Sequence, residues 1–141
     1  MDERNQVLPI DALPSLAISF ADALHAQSGE QFDFSLASLA RLDSVLDEWV
    51  HIAMVYGGAE PLDLQGYVGA TLAYVGETLR RAFGGHWEQL PTRNWPVLTF
   101  PNGQQLDLEP LVTGVLRGAL SPAFASLPRL LTANGIVREE Q

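Results

Sequence analysis

Apolar residues recur every three or four positions in the first half of the chain, which is the spacing that lines one face of an α-helix. The first stripe consists of Leu13, Leu16, Ala17, Phe20 and Leu24. Asp11 is suited to cap this helix and Gly29 to end it. The second stripe consists of Leu39, Leu42, Leu46, Trp49, Val50 and Ala53. Ser35 can cap this second helix, and Gly57-Gly58 is expected to end it.

A third helix is predicted between a capping Asp63 and Gly84-Gly85. Its apolar stripe consists of Val68, Leu72, Val75, Leu79 and Phe83. The same segment carries small residues three or four apart, namely Gly66, Gly69, Ala70, Ala73 and Gly76. A glycine inside a helix costs up to about 1 kcal/mol relative to alanine. We therefore expect close packing of another helix or of a sheet along this face, with space for a ligand as the alternative.

The period changes after Gly85. Three short runs, HWEQL, WPVLTF and QQLDL, suit β-strands, and Pro101-Asn102-Gly103 between the last two is a hairpin signal. Pro110 suits the first turn of a helix that extends to about Leu120. A last short helix is predicted from Leu127 to Ala133, before Gly135.

This order of elements predicts an α+β fold. Three N-terminal α-helices pack with a small antiparallel β-meander of about three strands, and two short C-terminal helices follow. The 141 residues fit a single domain, residues 1–141, which is long enough to bury about 70 % of its unfolded surface.

Composition removes several classes of chemistry. The chain has no cysteine, so disulfides, thiolate metal sites and cysteine nucleophiles are excluded. It has no G-x-x-x-x-G-K-[ST] loop and no G-x-S-x-G elbow, which disfavours the common nucleotide-binding and hydrolase chemistries. Residues 1–15 are acidic and broken by prolines, unlike a signal peptide, and the apolar residues 111–137 are interrupted by arginines and prolines. We expect a cytoplasmic protein with no membrane association and no cofactor.

Negative charge is concentrated in the N-terminal half. Residues 1–77 carry twelve acids and two arginines, whereas the remainder carries five acids and six arginines. The resulting net charge of −9 would repel a phosphate backbone, so nucleic acid is disfavoured as a partner. The acidic half could attract a basic protein partner, or it could serve solubility alone.

The segment YVGETLRRAFGGHW, residues 74–87, gathers the candidate ligand-binding residues Tyr74, Glu77, Arg81, His86 and Trp87. Glu77 precedes Arg81 by four residues, which favours an ion pair along the helix and a lowered pKa of the carboxyl group. One interpretation is structural, with a helix, a glycine cap and Trp87 folded back on the core. The other is a polar pocket in which Arg80 or Arg81 holds an anionic ligand, with Trp87 stacked on it. No catalytic residue is predicted.

Three further side chains could hold a divalent metal. Asp43, Asp47 and His51 are spaced four apart and project along one helix face. The solvated face of any acidic helix has the same pattern, and no second ligand cluster supports a metal here.

The patterns YVGE (residues 74–77) and GGHW (residues 84–87), followed by VLTFPNGQQLDLEPLV, resemble small bacterial proteins grouped as domains of unknown function. The resemblance covers residues 63–116 and rests on a Y-x-G-E helix and a G-G-x-W turn. The matching positions are Tyr74, Gly76, Glu77, Gly84, Gly85 and Trp87. It implies an α+β fold and a bacterial source, and it brings no activity or catalytic role.

Two functional hypotheses follow. The first is a non-catalytic interaction module, an adaptor or an immunity-type protein, that uses its acidic surface. The second is a small-ligand-binding protein or an enzyme with a pocket on the Tyr74, Glu77, Arg81 and Trp87 flank. The glycine-rich helix face and the apolar C-terminal segment could each form a homodimer contact, or each could be buried within the monomer.

Overall fold

The computed structural model describes residues 10–52 and 64–137. Its elements follow in the predicted order and confirm the α+β fold class. The N-terminal helices are α1 (Leu13–Ser28), α2 (Ser38–Ile52) and α3 (Leu64–Phe83). The strands β1 (His86–Glu88), β2 (Val97–Thr99) and β3 (Gln105–Leu106) come next, and the helices α4 (Glu109–Leu116) and α5 (Leu127–Ala133) follow. One-turn 3-10 helices precede α1, at Ile10–Ala12, and α5, at Phe124–Ser126.

Helix α3 forms the centre of the core. Every residue from 71 to 79 is buried, and both α1 and α4 pack against this helix. A helix whose apolar and small residues surround most of its circumference is expected to be enclosed in this way. Its fully buried large side chains are Leu72, Tyr74, Leu79 and Phe83.

The three strands form an antiparallel sheet in the order β1-β2-β3, which is the predicted meander. Trp87 lies opposite Leu98, and Leu98 lies opposite Leu106, so one cross-strand row is apolar. The hairpin between β2 and β3 closes where the Gly103 N–H donates to the Phe100 carbonyl and the Phe100 N–H donates to the Gln104 carbonyl. The strands are two or three residues long and therefore shorter than the apolar runs that predicted them.

The predicted helix ends are correct at some positions and wrong at others. Ser35 caps α2, because its hydroxyl accepts the Ser38 N–H at 3.3 Å. Asp11 does not cap α1, since it lies in the preceding 3-10 helix and Ala12 occupies the cap position without a side-chain hydrogen bond. The predicted ends at Gly57-Gly58 and Asp63, and the apolar Ala53, lie outside the described residues.

Helix α4 ends at Leu116 and not at the predicted Leu120. Gly118 adopts a φ of +82°, a left-handed conformation that glycine tolerates and that stops a helix. The N–H groups of Ala119 and Leu120 then turn back to the Gly114 carbonyl. The chain therefore leaves α4 as an ordered loop that returns to α2.

Two glycines of α3, Gly69 and Gly76, lie against tryptophan side chains. A β-carbon at position 76 would lie 2.0 Å from Cη2 of Trp87, and one at position 69 would lie 3.3 Å from Cζ3 of Trp95. The two glycines are seven residues apart and therefore lie on one face of the helix. The prediction of close packing is confirmed at these two positions, where indole side chains make the contact. Within residues 10–52 and 64–137, no helix has both the length and the apolar character needed to cross a bilayer.

Candidate functional site

The predicted candidate residues Glu77 and Trp87 meet where α3 passes behind β1. The indole Nε1 of Trp87 donates a 2.8 Å hydrogen bond to Oε2 of Glu77. Gly76 makes this approach possible, since any β-carbon there would occupy the position of the indole ring. The Glu77 side chain is 1 % exposed and Trp87 is 8 % exposed, so their hydrogen bond lies inside the protein.

The turn after α3 aims Trp87 at this position. Gly84 and Gly85 have φ angles of +81° and +102°, and the Gly84 N–H donates to the Arg80 carbonyl at 2.8 Å. A β-carbon at position 85 would also lie 2.5 Å from the Thr99 carbonyl oxygen of the neighbouring strand. Glycine is therefore required there for conformation and for space, and the chain reverses directly from helix into sheet.

The arginine that binds Glu77 is Arg80, so the prediction of a pair with Arg81 is wrong. In this bidentate pair, Nε of Arg80 donates to Oε2 of Glu77 and Nη2 donates to Oε1, each at 2.9 Å. Arg81 points elsewhere, with its guanidinium carbon 4.0 Å from the centroid of the Phe34 ring. The i, i+3 spacing of Glu77 and Arg80 is also a pairing distance on a helix, so this spacing was a usable sequence signal.

The Glu77 carboxylate is held in its charged form. Burial favours the neutral acid, but the hydrogen bonds from Arg80 and Trp87, together with the charges of Arg80 and Arg81, outweigh it and lower the pKa of Glu77. A carboxylate with a lowered pKa is a poor proton donor at neutral pH. The hydrogen bond from Trp87 instead ties α3 to β1, and the two from Arg80 lie within α3.

Tyr74, the next candidate, lies one turn before Glu77 and is fully buried. Its hydroxyl is 2.6 Å from the Ser38 hydroxyl and accepts the Phe34 N–H at 3.1 Å. The ring of Phe34 lies against the Tyr74 ring, with centroids 4.7 Å apart. Phe34 has a φ of +65°, which is unusual for a residue with a bulky side chain. Tyr74 therefore fixes the loop between α1 and α2 through its contacts with Phe34 and Ser38. Neither of these two residues was predicted from the sequence to belong to the site.

His86 lies at the surface of the protein. Its side chain is 69 % exposed and its Nε2 lies 3.9 Å from Oε1 of Glu88. Glu88 in turn accepts a 2.7 Å hydrogen bond from the Thr99 hydroxyl. The structure thus places Tyr74, Glu77 and Trp87 in the interior and leaves Arg81 and His86 at the surface.

The three metal candidates on α2 do not converge on one point, because Asp43 points away from Asp47 and His51. Asp43 turns to the C-terminal segment, where its carboxylate accepts the N–H groups of Phe124 at 2.8 Å and Ala125 at 3.0 Å. Burial raises the pKa of Asp43, although these two backbone hydrogen bonds favour the charged form. No group of three or more histidine, aspartate or glutamate side chains converges anywhere in residues 10–52 and 64–137.

Asp47 and His51 line a surface cleft of about 200 Å³ between α2 and the loop that follows α4. Its other lining residues are Val50, Val115, Gly118, Ala119, Leu120, Ser121 and Pro122. The i, i+4 spacing predicted that Asp47 and His51 share a helix face. The contribution of residues 118–122 could not be read from the sequence, because it depends on where α4 ends.

Comparison of the chain with protein-family models, with curated proteins and with solved structures gives no significant match. The resemblance of residues 63–116 to bacterial proteins of unknown function stays a prediction.

Proposed function

We propose that this protein is a non-catalytic interaction module of the bacterial cytoplasm, of the adaptor or immunity type, that binds a basic protein through its acidic N-terminal half. One observation carries the proposal. The polar groups that resembled a ligand site, those of Tyr74, Glu77 and Trp87, form their hydrogen bonds inside the core and hold the fold together. This leaves the surface charge as the strongest recognition feature.

Exposed carboxylates are frequent on the described part of the acidic half. They are Asp11, Asp22, Glu30, Asp33, Asp47 and Glu48. The described arginine of this half is Arg41, whose Nε lies 3.9 Å from Oε1 of Glu30. A field of one sign accelerates encounter with a partner of opposite sign and rejects partners of like sign. The same field disfavours nucleic acid as a partner.

A capture experiment tests this function. The tagged protein is incubated with lysate of the native host at two salt concentrations. At about 0.05 M salt the association between exposed charges is strong, and at about 0.5 M salt it is largely screened. The matched variant carries Asp22→Asn, Asp47→Asn and Glu48→Gln, which remove three exposed charges without touching the core. We expect basic proteins to be enriched at low salt and reduced with the variant.

A captured set that matches the tag-only background at both salt concentrations would refute the interaction module. The alternative, a metabolite site on the Tyr74, Glu77, Arg81 and Trp87 flank, predicts a different result. In that case a metabolite would raise the melting temperature in a thermal-shift screen, by linkage between binding and folding.

A further inference from the structure

The cleft between α2 and the loop after α4 is small and open to solvent. Its volume of about 200 Å³ is below the range of about 300–1,000 Å³ that is typical of small-molecule sites. It opens to solvent between Asp47 and His51 on α2 and the loop residues 118–122. These dimensions suit one long side chain better than a metabolite.

One wall of the cleft is apolar and exposed. Leu120 is 46 % exposed although its side chain lies over Gly114 of α4, where a β-carbon would be 2.6 Å from its Cδ1 atom. Ile52, the residue that follows His51 in α2, is also 46 % exposed. Within residues 10–52 and 64–137, these two are among five large hydrophobic side chains with this degree of exposure. Ile52 does not line the cleft, so Leu120 is the exposed large apolar side chain that this wall offers to a partner.

The other wall carries negative charge. Asp47 is an exposed carboxylate at the cleft, and Glu48 is exposed beside it on α2. Both belong to the strongly acidic N-terminal half. Arg117, which precedes the loop, does not line the cleft. A carboxylate facing an apolar wall matches a side chain that has a cationic head and a long aliphatic stem.

We propose that this cleft receives an arginine side chain of the basic partner; this inference rests on the proposed function and names the place where the partner docks. The guanidinium group lies against the Asp47 carboxylate, and its methylene stem packs on Val50 and Leu120. Arginine fits better than lysine because its guanidinium is planar, more weakly hydrated and able to bind a carboxylate through two hydrogen bonds. Arginine is also enriched among the residues that dominate the energetics of protein interfaces.

The test is a titration of the ¹⁵N-labelled protein with the peptide Ac-Gly-Arg-Gly-NH₂ at about 0.15 M salt, where charges more than about 8 Å away are largely screened. The probe is taken to about 10 mM, which saturates a millimolar site. A peptide with citrulline in place of arginine has the same shape without the charge. We expect saturable shifts of the amide signals of Asp47, His51 and residues 118–121, and weaker binding of the citrulline peptide.

Three variants assign the binding to this cleft. Asp47→Asn should lower the affinity for the arginine peptide about threefold, which is the effect of losing one exposed ion pair. Leu120→Ala should also lower this affinity, because it removes the apolar side chain against which the arginine stem packs. Asp22→Asn removes the same charge from an exposed position of α1 that does not line the cleft, and it should leave the affinity unchanged.

The possible outcomes separate this inference from the proposed function. Absence of shifts at about 10 mM peptide, or equal weakening by Asp47→Asn and Asp22→Asn, overturns the cleft as an arginine site. Shifts confined to other acidic residues also overturn the cleft, but they support an acidic recognition surface. A capture experiment in which the parent protein enriches no basic protein above the tag-only background refutes the proposed function independently of the peptide result.

Discussion

Substitution of Gly76 by alanine should destabilise the protein even though alanine is the better helix former. The new β-carbon would lie 2.0 Å from Cη2 and 2.3 Å from Cζ2 of Trp87. Carbon atoms in contact are separated by about 3.5–4.0 Å, so the indole would have to retreat by about 1.5 Å. That movement would take its Nε1 atom out of hydrogen-bond range of Glu77, from the present 2.8 Å.

The expected magnitude follows from three effects. Overpacking of a core costs about 1–3 kcal/mol, and loss of a hydrogen bond to a charged group costs about 1.5–3 kcal/mol. The gain in helix propensity from glycine to alanine offsets at most about 1 kcal/mol. We therefore expect Gly76→Ala to lower the free energy of unfolding by about 1.5–6 kcal/mol. The assay is urea denaturation at neutral pH, followed by circular dichroism at the helix band.

Gly69→Ala is the matched control on the same helix face. Its β-carbon would lie 3.3 Å from Cζ3 of Trp95, so that ring needs to move by only a few tenths of an ångström. The propensity gain should then cancel or exceed the strain, and stability should change by less than about 1 kcal/mol. If the two alanine variants are equally stable, Trp87 does not pack on Gly76 as described and the reasoning fails.

Three further predictions concern individual polar side chains. The pKa of Glu77 is lowered in the folded state, so its charge contributes stability above the unfolded pKa of about 4.3, and this contribution is lost as pH falls through the folded pKa. In urea titrations at a series of pH values, Glu77→Gln should therefore reduce the loss of stability that the parent protein shows on acidification. An unchanged loss would contradict the role assigned to Glu77. Asp43→Ala should cost about 1–3 kcal/mol and speed amide exchange in the 3-10 helix that it caps, whereas Asp47→Ala on the same helix should stay within about 0.5 kcal/mol of the parent. Tyr74→Phe should cost about 1–3 kcal/mol in urea denaturation because it leaves the buried Ser38 hydroxyl and a loop N–H without this partner, and a neutral effect would show that the hydroxyl is dispensable.

Periodicity was sufficient to predict the helices and the hairpin because each signal is local. The stripe of α3 and the glycines after it define where that helix ends, and Pro101-Asn102-Gly103 marks the turn between β2 and β3. The end of α4 was predicted four residues too late. Gly118 stops this helix, but propensity alone does not reveal the stop, because Ala119 and Leu120 are both good helix formers.

The partners of the polar residues were less predictable, since they depend on how distant segments pack. Glu77 pairs with Arg80, while the Arg81 guanidinium lies over the ring of Phe34. Phe34 belongs to the loop between α1 and α2, far from Arg81 in sequence. Asp43 has the spacing of a metal ligand, but its carboxylate binds backbone N–H groups about eighty residues away in sequence. Neither contact leaves a pattern within one window of sequence.

A double-mutant cycle distinguishes whether the polar and aromatic residues at 74–87 stabilise the fold or bind a ligand. The cycle combines Glu77→Met and Trp87→Phe, and the free energy of unfolding is measured by urea denaturation with no ligand present. We expect a coupling energy of about 1.5–3 kcal/mol, that of a buried hydrogen bond to a carboxylate. Additive single effects, with a coupling energy near zero, would contradict it.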